Sequence, residues 1–493
     1  MKYNIAISGT FNVENYGDLM FPVIFKRAME KRNLDFELFL FSPERSCKKA
    51  LDETTDVFAI SEIDKIHDEY PLNAVVVGGG ALVHYNKILV KFPQETQVVG
   101  YDIGESWYYP IEFAVRNNVK LLFNLPQIPF QFSEPLKATA RSAFDCCDYI
   151  SLRDDISKQY LLNLYDNNPP KIDVYPDSVC CISELIPVEE LKNYKQNVLS
   201  FDEKYAVIQF NPQKPQDDDQ YLVQIINTLK EHGLKVVLLP IGYTHNDDFV
   251  LEQFNTNNNL DCEIISKKLN IMETAAVLSG CEIYIGSSFH GAITAIAYGK
   301  KAISYNYIFP KNKNQEIFKM YGVSDFVVDN AKDALNLLND LCDGKISFNP
   351  KTDEVLSQLN LYFDDLLSMI KDSISPTHNY REFIKPLIKT LPELSKLEIE
   401  KKQLITDVDV QKGYAAQLET IIKQHLEHIS NLENYCNDLE KNNTEQNKYI
   451  KSLESILHST QEQLNQVSTN YQQIKNNFFV RILLFVKRLF PKK

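Results

Sequence analysis

At 493 residues the chain is too long for one ordinary domain, and its 44% hydrophobic and 11% aromatic content can fill more than one core. A formal net charge of -14 argues against a nucleic-acid binder driven by bulk charge. The nine cysteines are odd in number, include the neighbours Cys146-Cys147 and Cys180-Cys181 and form no Cys-x-x-Cys, so they read as reduced thiols of a cytosolic protein rather than a disulfide framework.

The start, "MKYNIAISGTFNVENYGD", reads as a first β-strand and not as a secretory signal. From there to about Ile186, near-continuous apolar runs alternate with helical stretches: "YNIAISG", "FELFLFS", "AVVVGGG", "QVVGYDIG", "VKLLFNLPQ", "DYISLRD" and "KIDVYPD". Runs of this kind ending in Gly, Asp or Asn predict parallel strands covered on both faces. In "SGTFNVENYGDLM" (Ser8 to Met20) a strand gives way to a loop with Asn12, Asn15, Gly17 and Asp18, and then to a helix. Free N–H groups at such a helix start can hold an anion. Asp18 either caps the helix or enters a cleft as an acid or base. The stretch is neither a GxGxxG fingerprint nor a P-loop.

"VVVGGGALVHY" (Val75 to Tyr85) places Gly78, Gly79 and Gly80 after a buried strand, where backbone can approach a ligand or make a tight strand-to-helix turn; His84 then sits on that helix. "YISLRDDIS" (Tyr149 to Ser157) brings Arg153 to a strand end, suited to a carboxylate or phosphate, or to a structural pair with Asp154 or Asp155. In "VYPDSV", Asp177 follows a strand and faces the cleft or caps a turn.

A polar stretch, 187–204, reads as a linker. A second alternation follows over 205–375, with "YAVIQFNP", "KVVLLPIG", "CEIISK", "EIYIGSS" and "KAISYNY", closed by helices from about Ala331 to Ile374. Two tandem Rossmann-like α/β units imply a cleft between them, with sites at the carboxyl ends of the strands. In "IGSSFHGAITAIAYGKKAISY", His290 stands where strand turns to helix, beside Ser287, Ser288 and Gly291. Backbone N–H groups, two hydroxyls and an imidazole there are expected to converge on one oxyanion. Nothing in the pattern suggests a metal site.

Over 392–477 the apolar residues alternate in steps of four and three, through Leu418, Ile422, Ile429, Leu432, Leu439, Ile450, Leu453, Leu457 and Leu464, with Asn443 at an a position. This heptad seam predicts a self-associating coiled-coil rod roughly 110 Å long at ~1.5 Å per residue. The alternative is a long helix folded back on the protein. The tail, 478–493, combines Phe478, Phe479, Ile482, Leu483, Phe485 and Leu489 with Arg481, Lys487, Arg488, Lys492 and Lys493 and no acid. It is too short to span a bilayer and fits an amphipathic helix on an anionic membrane, or a buried end cap of the coil.

"FNVENYGD", "VVVGGGALV", "ISLRD", "YPDS" and "SSFHGAITAIAYGKKAI", in that order over about 1–330, resemble the blocks of the polysaccharide pyruvyl transferases. The resemblance implies an α/β fold of two domains similar to the B-type glycosyltransferases, with 1–186 on the acceptor side and 205–375 on the donor side. It implies transfer of a pyruvate unit from phosphoenolpyruvate, a co-substrate rather than a cofactor, to two hydroxyls of a sugar. The product is a cyclic ketal on a surface polysaccharide or its lipid-linked precursor. His290, Asp18 and Asp177 are then the catalytic candidates. Arg153, Ser287, Ser288 and Gly291 are the donor-binding candidates, with backbone contacts from Asn15, Gly17 and Gly78 to Gly80. Many members carry an arginine two places before the histidine; here Ser288 stands there, so the charge must come from Arg153 or a lysine. The expected location is cytoplasmic, on the inner face of the cell membrane. The competing functions are a B-type glycosyltransferase using a nucleotide sugar and a degenerate membrane-tethered scaffold.

Overall fold

The computed structural model describes residues 2–45, 56–84, 87–91, 98–132, 134–243, 246–307, 312–373, 376–386 and 454–466. The first half forms strands β1 (Tyr3–Ser8), β2 (Phe36–Ser42), β3 (Val57–Ala59), β4 (Ala74–Val77), β5 (Lys87–Lys91), β6 (Val98–Asp102), β7 (Lys120–Phe123), β8 (Ser151–Leu152) and β9 (Asp173–Val174). Five of them build a parallel sheet in the order β3-β2-β1-β4-β7. All four residues of β4, Ala74 to Val77, are buried, as expected of a strand covered on both faces.

The second half repeats the plan with β10 (Tyr205–Gln209), β11 (Lys235–Leu238), β12 (Glu263–Ile264), β13 (Ile283–Gly286), β14 (Lys301–Tyr305) and β15 (Val327–Val328). Their parallel sheet runs β12-β11-β10-β13-β14-β15. In each sheet the chain starts at the centre, moves outward on one side and returns to the other. The direction reverses between β1 and β4 and between β10 and β13. Loops at the carboxyl ends of such strand pairs form the binding crevice of this topology. The segments after β1, β4 and β13 are the glycine-, serine- and histidine-bearing motifs.

Three sequence expectations change. Among the described residues no helix follows Gly80 directly: its φ of +96° turns the chain, the Gly80 carbonyl accepts from Gln127 N at 2.8 Å, and Ala81 to His84 continue as an irregular segment. The 187–204 linker is largely helical, Val188–Val198, with Leu191 buried against the helix Ile271–Gly280. The helix Thr352–Lys371, expected to close the second unit, lies against the first. Its apolar face (Val355, Leu359, Tyr362, Phe363, Leu366, Ile370) is buried, Tyr362 Oη donates to Asn124 Oδ1 at 2.6 Å, and Arg32 Nε pairs with Asp364 at 2.7 Å. Burying that face stabilises by about 1.5–3 kcal/mol for each large side chain, which favours its return over exposure. Residues 1–84 and 88–386 therefore belong to one compact unit.

The coiled coil and tail expected at 392–477 and 478–493 lie outside the described residues except for 454–466, which is helical. Among the described residues no helix is long and apolar enough to cross a membrane. The described cysteines are free thiols.

Candidate functional site

The helix Tyr16–Lys31 begins directly after the β1 loop because the Asn15 side chain accepts from Gly17 N at 3.1 Å, capping it. Gly17 and Asp18 thereby occupy its first turn. A Cβ on Gly17 would lie 1.7 Å from His290 Nδ1, so the imidazole rests directly on the Gly17 backbone. Tyr16 Oη shares a hydrogen bond of 2.9 Å with Thr294 Oγ1 on the histidine-bearing helix, Phe289–Ala297. Asn15 bridges Gly242, and Glu14 pairs with Lys268. The two halves thus meet around His290.

The glycines after β4 leave room for this contact. A Cβ on Gly79 would strike the Phe21 ring at 2.2 Å, and one on Gly80 would lie 2.9 Å from Asp18 Oδ1. Phe21 in turn meets His290 edge-on, with ring centroids 5.4 Å apart.

Arg153 and Asp177 form a buried pair. Arg153 Nη1 donates to Asp177 Oδ2 at 2.8 Å and Nη2 to Gln127 Oε1 at 2.6 Å. Gln127 is held by Asp154 at 3.0 Å, and Asp154 caps the next helix by accepting from Ser157 N at 2.6 Å. The Arg153 partner is therefore Asp177, not its sequence neighbours. Asp177 Oδ1 also caps the turn Ser178–Cys181, accepting from Val179 N at 3.0 Å. His290 Nε2 lies 3.7 Å from Asp177 Oδ2, beyond hydrogen-bond length, and has no hydrogen-bond partner. A guanidinium has five N–H donors, so two bonds leave Arg153 with donors to spare.

The two carboxylates are driven apart. Burial raises Asp18 above the usual carboxylate range, against partial relief from His290, the Thr10 hydroxyl, Lys313 and Arg153. Burial also acts on Asp177, but there the His290 ring, the Arg153 guanidinium and the Val179 amide outweigh it and hold the group below its ordinary value. Asp18 is thus disposed to carry a proton and Asp177 a charge, the separation by which paired carboxylates take different roles.

Lys313, absent from the sequence candidates, belongs to this site. Its ammonium lies 5.5 Å from the Phe289 ring centroid, and the Arg153 guanidinium lies 4.7 Å from the same ring. Burial, with the Arg153 charge, lowers Lys313 to about 8 against the pull of Asp18 and Asp177. It rides on the helix Asn312–Met320, in a polar stretch without a motif. The available signal was its position shortly after a strand end, that of β14.

Ser287, Ser288 and Gly291 do not converge on an oxyanion as expected. Ser287 N and Ser288 N donate to Gln209 Oε1 at 3.0 and 2.8 Å, and Gly291 N donates to Ser288 Oγ at 3.2 Å as an ordinary helix cap. The Ser287 hydroxyl contacts Tyr307 Oη at 3.1 Å. The structure therefore gathers Gly17, Asp18, Arg153, Asp177 and His290, adds Lys313, and commits the serine amides elsewhere.

Residues 15–308 match the family model of the polysaccharide pyruvyl transferases. A relative, the amylovoran biosynthesis protein AmsJ of Erwinia amylovora, is 26% identical over 137 residues, which covers 26% of this chain and 31% of AmsJ; the match therefore spans about a third of that relative's length. Among solved structures, the UDP-GlcNAc 2-epimerase from Methanocaldococcus jannaschii is similar with a TM-score of 0.50 at 13% identity, covering 74% of this chain and 99% of the other. That likeness is one of fold alone.

Proposed function

The chain belongs to the polysaccharide pyruvyl transferase family, and from that premise we propose that it transfers the pyruvate unit of phosphoenolpyruvate to two hydroxyls of a sugar, forming a cyclic ketal and releasing phosphate. The acceptor is a sugar of a surface polysaccharide or its lipid-linked precursor. The observation that carries this reading is the convergence of Arg153 and Lys313 on the Phe289 ring, beside Asp18, Asp177 and His290. A donor with both a carboxylate and a phosphate suits two neighbouring cations. It also needs a proton donor for its methylene carbon, and of the two site carboxyls Asp18 is the one that burial raises.

In this reading Asp18 gives a proton to the methylene carbon, and the cationic character that develops at C2 is met by the first sugar hydroxyl. His290 takes that hydroxyl's proton. The C2–phosphate bond then breaks, Arg153 and Lys313 hold the departing charge, and the second hydroxyl closes the ring. Of the two hydroxyl protons, one replaces that lost from Asp18 and the other leaves with phosphate. Asp177 orients Arg153 and faces His290. The test is phosphate release from phosphoenolpyruvate with a panel of lipid-linked acceptors. Consumption of a nucleotide sugar without phosphate release would overturn the reading.

The Lys313 ammonium supplies a pH signature. It is charged below about 8 and neutral above it, so donor affinity is expected to weaken as pH rises through that value. Lys313→Arg keeps its charge across the range and is expected to remove this basic limb from the KM profile. An unchanged limb would assign it to another group.

The heptad segment is proposed to self-associate, and the basic, aromatic tail to hold the enzyme on the anionic inner face of the cell membrane. Removal of Phe478 to Lys493 is expected to move the protein from the membrane fraction to the supernatant. Retention at the membrane would dismiss the tail as its anchor.

A further inference from the structure

Strand β10 ends at Gln209, at the switch point of the second sheet, with its side chain 3% exposed. Its Oε1 accepts from Ser287 N at 3.0 Å and Ser288 N at 2.8 Å, and the hydroxyls of Ser287 and Tyr284 both approach it at 3.2 Å. A neutral amide oxygen with two lone pairs is surrounded by more donors than it can saturate, an environment better matched to an anionic oxygen. Backbone N–H groups at a helix start beyond a parallel strand are where this topology ordinarily receives phosphate. Here the chain fills that position itself.

The orientation of the amide is set from its other end. Gln209 Nε2 donates to Asp247 Oδ2 at 2.7 Å, and the same oxygen accepts from Gly242 N at 2.9 Å and Ile241 N at 3.2 Å. Because Asp247 Oδ2 already accepts from these two backbone amides, it meets Gln209 as an acceptor. The Gln209 nitrogen must face it, which turns the oxygen toward the serine amides. Gly242 also bridges Asn15, the cap of the helix whose Gly17 supports His290. A chain of contacts thus runs from Gln209 through Asp247, Gly242 and Asn15 to the Gly17 turn on which His290 rests.

We propose that Gln209, oriented by Asp247, is a specificity-determining residue that occupies the Ser287 and Ser288 amides ahead of the His290 helix and withholds them from phosphate groups, so that the donor's anionic groups are held by Arg153 and Lys313 instead. Only the last clause rests on the donor assigned above. A nucleoside diphosphate then finds the Ser287 and Ser288 amides already taken by Gln209, whereas a small donor with separated charges still has its two side-chain cations.

The experiment is calorimetric titration of the full chain with inorganic pyrophosphate, wild type against Gln209→Gly, with thermal melting to show that the variant is folded. The variant is expected to bind about one equivalent more than the wild type, because the Ser287 and Ser288 amides keep only their longer contacts, 3.4 Å to the residue-209 carbonyl and 3.2 Å to Tyr284 Oη, and an anion offers them a stronger acceptor. The wild-type count is the baseline whatever its value. A wild type that binds none would count against the Arg153–Lys313 donor site while leaving the Gln209 inference intact. If Gln209→Gly does not fold, Gln209→Ala carries the test: it also removes the amide oxygen from the Ser287 and Ser288 amides and is expected to gain the same extra equivalent. A folded variant with the wild-type stoichiometry overturns the proposal.

Discussion

Replacing His290 by alanine is expected to lower turnover by about 10²–10⁴-fold, the usual contribution of a positioned acid or base, and Gly17→Ala is expected to reproduce most of that loss with the imidazole still present. The second half of this expectation is the sharper one. A methyl group on Gly17 would lie 1.7 Å from His290 Nδ1 and 2.3 Å from two ring carbons, so the ring must leave its place. It has little room to do so, being flanked by Phe21 at 5.4 Å and Phe289 at 5.0 Å. The damage is local because Gly17 lies in the first turn of a helix, where alanine is favoured by the backbone. Phosphate-release kinetics on the two single variants and the double variant check this. Because both changes act through one ring, the double variant is expected to be no slower than His290→Ala alone. Additive losses would show that Gly17 acts on something else.

Arg153→Met is expected to lower unfolding free energy by about 3–5 kcal/mol at neutral pH, the cost of leaving a buried charge without its partner. Asp177 is fully buried and has its Oδ2 2.8 Å from Arg153, while Gln127 Oε1 loses its donor in the same substitution. The contribution depends on pH with a definite sign. Asp177 is held below its ordinary value of 3.8, so the stabilisation is complete above that value and is lost as pH falls through the lower folded-state value. The stability gap between wild type and Arg153→Met, read from urea midpoints, should therefore be widest near neutrality and narrow in acid. Pairing Arg153→Met with Asp177→Leu is expected to recover much of the stability and none of the turnover, because an apolar pair satisfies packing but supplies no cation for the donor. Equal urea midpoints for wild type and Arg153→Met at neutral pH would show that the pair is not holding the fold.

The tandem parallel architecture was legible in the chain because buried parallel strands have a local signature: short apolar runs ending in small or polar residues. The chemistry-bearing candidates Asp18, Arg153, Asp177 and His290 were legible for the same reason, since each follows a strand end and this topology collects strand ends in one crevice. The glycines were visible, but their use was not. Gly17 and Gly79 look like loop residues until the ring of His290 or Phe21 is placed against them. The helix Thr352–Lys371 has an obvious apolar face, yet periodicity does not say which half of the molecule it covers.

The sequence alone thus determined what is local in the backbone: strand ends, helix starts and the residue types placed there. The tertiary structure decided which groups share one electrostatic environment. Lys313 stands 160 residues from Arg153 in the numbering, and both cover one aromatic ring. Gln209 fills amides 78 and 79 residues away. Burial and charge act through space over a few ångströms, whatever the separation along the chain. The opposite shifts of Asp18 and Asp177, and the diversion of the serine amides from ligand to glutamine, therefore exist only once the two halves have folded together.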